Sequence, residues 1–170
     1  MSGINWPGNA SPPLAHLSGW SASPLTIAIS TTTNPETIYN DLKSRCNGTE
    51  GNGQKIKRPT VAWTRSTAPL GTNQMRPNHA YSVLGVFYQD ANNKYIVLRN
   101  PIGRSEGTSN PDALVTGSWG QTVDDSLYYP GGGKVAGRGS THRIDFNGNI
   151  GIFALKTTKF RDYFSGYSLV

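Results

Sequence analysis

His79 and Asn100 are the two residues whose types and placement suggest chemistry. His79 opens an apolar run over 79–88, and Asn100 closes a second run over 94–100, with the polar stretch 89–93 between them. Two runs of near-equal length joined by an Asp/Asn turn predict a β-hairpin. Folding one strand back on the other brings both residues to the same end, within a few residues of register. The turn length leaves the exact pairing open, and a bulge would adjust side-chain directions. A thiol nucleophile needs a base to hold it as thiolate and an acid for the leaving amine, and histidine does both near neutral pH. A second group must fix the ring's tautomer by accepting a hydrogen bond from its far nitrogen. An asparagine carbonyl can do so without an ionised carboxylate, which suits a thiolate–imidazolium pair. Read singly, His79 is a strand-end histidine without a task and Asn100 before Pro101 caps a turn. The pairing of the two blocks favours the chemical reading.

The elements that must position this pair are short. Residues 1–24 are rich in Gly, Pro, Ser and Asn and read as an extended arm, with 25–170 as the domain proper. Leu25 begins a short apolar stretch. Asn34 is placed to cap a helix, with Pro35 in its first turn and Glu36 beside its N-terminus. Ile38, Tyr39, Leu42 and Cys46 then share a face, and Gly48 is the expected stop. A strand is expected over 60–64. Beyond the hairpin, 104–140 reads as mostly loop, with Trp119 as an anchor. Residues 143–146 and 151–155, around a turn at Asn147-Gly148, suggest a second hairpin. A short helix over 158–164 and a strand over 167–170 close the chain. The expected fold class is α+β and β-rich.

Composition narrows the function classes. Of 170 residues only 35% are apolar, with 20 Gly and 11 Pro, which fits a loop-rich β domain better than a helical bundle. The net charge of +6 is scattered, and Lys55, Lys57 and Arg58 are too few for a nucleic-acid arm. No nucleic-acid partner is therefore expected. No apolar run reaches the roughly 18–20 residues that span a bilayer. Cys46 is the only cysteine, so no internal disulfide forms. His16, His79 and His142 lack metal-ligand spacing, and 145–149 lacks the terminal Glu of a calcium loop. Gly131-Gly132-Gly133 is not followed by the residues of a phosphate loop. Ser82 and Ser140 lack a nucleophile-elbow context.

The segment Asn78-His79-Ala80-Tyr81-Ser82-Val83-Leu84-Gly85-Val86, followed by Val97-Leu98-Arg99-Asn100-Pro101-Ile102-Gly103, resembles the histidine and asparagine blocks of calpains, cysteine peptidases of papain-like fold. Gly117-Ser118-Trp119 resembles the family's Gly-x-Trp. Residues 149–155 together with 160–164 resemble its closing segment. The resemblance covers roughly 25–170, the whole second catalytic lobe. It implies a twisted antiparallel sheet or half-barrel with short helices. It implies peptide-bond hydrolysis with His79 as general base and acid and Asn100 orienting its ring, and no metal or organic cofactor.

Two departures shape the expectation. Ile102 stands where the family usually has a tryptophan that shields the histidine–asparagine bond. The family's nucleophile and its oxyanion-hole glutamine belong to an earlier lobe, whereas only 78 residues precede His79. Cys46 is a poor nucleophile, because it sits at the C-terminal end of its helix, where the dipole raises a thiol pKa. The expected partner is thus a second polypeptide or lobe carrying the cysteine, besides a peptide or protein substrate. Alone, this chain is expected to be inactive. The alternative is a non-catalytic β-rich module whose aromatic residues bind carbohydrate or protein.

Overall fold

The computed structural model describes residues 25–47, 54–67, 75–103, 113–114, 118–119, 144–145 and 151–169. Along the chain these form β1 (Leu25–Ala28), α1 (Pro35–Ser44), β2 (Cys46–Asn47), β3 (Gln54–Ile56), β4 (Thr60–Thr64), β5 (Ala80–Asp90) and β6 (Asn93–Arg99). They continue with β7 (Ala113–Leu114), β8 (Ser118–Trp119), β9 (Ile144–Asp145), β10 (Ile152–Lys156), α2 (Thr157–Tyr163) and β11 (Phe164–Leu169). The main sheet runs β1-β11-β4-β5-β6-β10-β7, with β3 beside β5 and β2 beside β3. Its ladders are antiparallel. The described residues are therefore α+β and β-rich, with two helices against this antiparallel sheet.

Helix α1 starts where capping chemistry places it. The Asn34 side chain accepts from the Glu36 N–H at 2.9 Å, and Pro35 fills the first turn, where no N–H is needed. Ile38, Tyr39 and Leu42 are buried against the sheet. The expected stop at Gly48 is overturned, because α1 ends at Ser44 with Arg45 as its C-cap. Cys46 lies past the helix, in β2, paired with Ile56. Cross-strand pairing claims residues that helical periodicity alone would have kept. On the other flank the Asp41 carboxylate takes two hydrogen bonds from Arg45 and one from the Tyr167 hydroxyl, tying α1 to β11. Burial works to raise the Asp41 carboxyl, but these bonds outweigh it and hold the group below its ordinary range.

The core lies between the helices and one sheet face. Val83, Val86, Ile96, Leu98, Phe153 and Leu155 meet α1 and the α2 residues Phe160 and Tyr163. Tyr95, Val97 and Ala154 point to the opposite face and form a second cluster with Leu84, Phe87 and Ile152. Residues 95–98 are all buried, as befits a central strand. At the other side of the sheet β11 closes tightly on its neighbours. A Cβ on Gly166 would lie 2.7 Å from the Ile27 carbonyl oxygen and 2.7 Å from Trp63 Cζ2. Gly166→Ala is therefore expected to lower stability by about 1–3 kcal/mol through overpacking. Denaturant titration checks this, and an unchanged midpoint would show that β1 yields without cost.

The second hairpin expected over 143–155 is overturned. β9 pairs with β8, and β10 instead lies between β6 and β7. β7 and β8 also fall in the stretch read as mostly loop. The arm over 1–24, the turn at Asn147-Gly148 and the glycine run at 131–133 lie outside the described residues. Among the described residues, no helix is long and apolar enough to cross a membrane.

Candidate active site

The hairpin over 79–100 forms, with its ladder shifted from the expected bounds. β5 runs to Asp90 and β6 begins at Asn93, so the turn tightens to Ala91-Asn92. Asp90 holds it, accepting from the Asn92 N–H at 2.8 Å and from Asn93 Nδ2 at 2.7 Å. His79 and Asn100 both stand one residue beyond their strands.

Two register shifts in β5 decide whether the pair can meet. They lie between Val83 and Gly85 and between Tyr88 and Asp90. Carried unbroken from the Asp90–Asn93 pair, the register would put Asn100 opposite Val83, too far along the strand from His79. With both shifts, the last pair is Ser82–Arg99, so Asn100 comes opposite Tyr81. His79 then sits diagonally across from Asn100 on the same face, within reach of a side-chain contact.

The contact is made. His79 Nε2 lies 3.0 Å from Asn100 Oδ1. Its polarity follows from a neighbouring bond. The backbone N–H of Ile102, which can only donate, points to the same Oδ1 at 3.0 Å. Turning the amide over would set its NH₂ against that N–H. Oδ1 is thus the acceptor, and His79 Nε2 must carry the proton. In the neutral ring the lone pair is then on Nδ1, free to take a proton. Asn100 is 1% exposed, and its Nδ2 finds no hydrogen-bond partner among the described residues. Among the described residues the amide oxygen takes two donors and the nitrogen meets no acceptor.

The backbone around Asn100 is equally constrained. Its N–H donates to the Gly151 carbonyl at 2.8 Å, and its carbonyl accepts from the Gly103 N–H at 3.0 Å. Gly103 has φ 76° and Gly151 φ 75°, where a side chain would be strained. His79 is half-buried and packs edge-on against Tyr81, with ring centroids 4.9 Å apart. Asn78 before it adopts φ 49°, a conformation that asparagine tolerates better than most residues. Beside the pair, Ile102 is 49% exposed. Trp119 lies in β8, paired with Ile144.

The chain matches no protein-family model and no curated protein.

Cys46 is not part of this constellation. It is buried, and its Sγ–H donates to the Leu42 carbonyl at 3.2 Å. Burial pushes its thiol up to about 11. At neutral pH it is therefore expected to stay protonated and resist iodoacetamide in the folded chain, reacting once the chain is unfolded. Mass spectrometry of the alkylated protein checks this; rapid modification under native conditions would contradict it. Among the described residues, no group of three His, Cys, Asp or Glu side chains is placed to hold a metal ion.

Sequence patterns single out His79 and Asn100, and the fold brings them together. They do not single out Thr64, which holds the His79 backbone from both sides: the His79 N–H donates to Thr64 Oγ1 and the Thr64 N–H to the His79 carbonyl, each at 2.9 Å. No local pattern marks a threonine that acts across two strands.

Proposed function

We propose that this chain is the His/Asn-bearing part of a calpain-like cysteine peptidase of papain-like fold. Its nucleophilic cysteine comes from another chain or from a segment outside these 170 residues. The observation that carries the reading is the Nε2–H···Oδ1 bond of 3.0 Å, polarised by the Ile102 N–H. It leaves His79 Nδ1 as the free base.

The chemistry follows from that assignment. Nδ1 takes the proton of a thiol within hydrogen-bonding reach, giving a thiolate and an imidazolium. The thiolate attacks the peptide carbonyl and forms a tetrahedral intermediate. As the C–N bond breaks, Nδ1–H passes its proton to the leaving amine, and an acyl-thioester remains. His79 then takes a proton from water, which attacks the thioester, and returns it to the departing sulfur. Asn100 stays neutral throughout and holds the ring. No step requires a metal or an organic cofactor. The exposed Ile102 beside the pair is an apolar side chain that a cysteine-bearing lobe or a substrate would cover.

The test is intact-mass analysis under non-denaturing conditions of material from the native source. The expected result is His79 and Asn100 in one assembly with a second, cysteine-bearing polypeptide or lobe. A stable, soluble species of this chain alone would leave the reading without a nucleophile and favour a binding role.

A further inference from the structure

We infer that Thr64 is the positioning residue for His79, holding its backbone so that the ring meets Asn100. The inference rests on the proposed role of the pair. The β4–β5 ladder ends at Trp63–Ala80, and the β5–β6 ladder begins only at Ser82. One residue further in the β4–β5 register, Thr64 stands opposite His79, and its N–H donates to the His79 carbonyl as the next ladder bond would. The reciprocal N–H of His79 is taken by the Thr64 side chain, whose Oγ1 accepts it at 2.9 Å. The hydroxyl proton faces two acceptors, the Arg76 carbonyl on the far side of left-handed Asn78 and, at 3.2 Å, the His79 carbonyl. One buried side chain thus spans the turn over 76–79 and clamps the residue that ends it. Thr64 is itself held, because the Arg65 N–H donates to the Tyr163 carbonyl and the Arg65 guanidinium to the carbonyls of Ile29, Arg161 and Asp162. The clamp is thereby anchored to the end of α2. A small displacement of the His79 backbone would lengthen a 3.0 Å ring contact beyond hydrogen-bonding range.

The experiment is imidazole NMR on the full chain labelled with ¹⁵N-histidine. Native protein is expected to show a slowly exchanging His79 Nε2 proton that Asn100→Ala abolishes. Thr64→Val keeps the side-chain shape and removes the hydroxyl, and should speed exchange of that ring proton by roughly tenfold or more. Thr64→Ser keeps the hydroxyl and should restore the native signal. A purely structural threonine would lower the melting temperature in Thr64→Val and leave the ring proton unchanged, which overturns the inference. Should Thr64→Val fail to fold, Thr64→Ser decides: a lost ring signal there means the hydroxyl is not what holds His79. A native chain without the Nε2 proton overturns both the clamp and the pair. The NMR readout is independent of peptidase activity, so a chain that passes this test but never assembles with a thiol keeps the clamp and loses the peptidase reading.

Discussion

His79→Ala is expected to slow peptide-bond hydrolysis by the proposed two-part peptidase by roughly 10²–10⁴-fold, the usual contribution of a positioned acid–base group. Stability should fall only modestly, by about 1–2 kcal/mol, and the fold should be kept. The two backbone bonds to Thr64 do not involve the ring and survive in alanine. Asn100 Oδ1 keeps the Ile102 N–H as a donor. What is lost is one edge-on contact with Tyr81, worth about 0.5–1.5 kcal/mol, and one hydrogen bond of about 1 kcal/mol. A large loss of rate with a small shift in melting temperature separates a chemical role from a structural one. Retained hydrolysis in this variant would mean that another group serves as the base.

Asn100→Ala is expected to reduce hydrolysis by roughly 10–10²-fold, corresponding to loss of a hydrogen bond to a ring that becomes charged. The ring loses the partner that selects its tautomer, and Nδ1 is no longer held toward the thiol. The stability change is a balance of opposing effects. Ile102 N–H and His79 Nε2–H both lose their acceptor, which costs about 1–3 kcal/mol. Removing the buried Nδ2, which has no partner among the described residues, gives part of that back. A net loss of about 1 kcal/mol is therefore expected, from paired kinetic and denaturation measurements. If Asn100 only capped the turn at Pro101, stability would fall and hydrolysis would not.

The parts of this fold that were legible in the sequence are those with local causes. The start of α1 follows from Asn34, Pro35 and Glu36, each of which acts within that first turn. The hairpin follows from two apolar runs and an Asp/Asn turn, and α2 and β11 lie within a few residues of their expected places. The parts that were not legible depend on distant partners. β9 was expected to pair with the strand that follows it, but Trp119 and Ser118 pair with it instead. β1 and β11 join opposite ends of the described chain, and nothing in Leu25 or Leu169 announces the other. The same holds within the site. The residue types at 79 and 100 pointed to the pair, whereas the two shifts in β5 that align them, the Thr64 clamp and the polarising Ile102 N–H follow from tertiary geometry.

The most direct test of the central claim is covalent labelling of native-source material with a cysteine-directed peptide probe, followed by intact mass analysis with and without His79→Ala. The expected result is label on a cysteine outside this chain, abolished by the substitution. Label on Cys46, or labelling unchanged in His79→Ala, would contradict it.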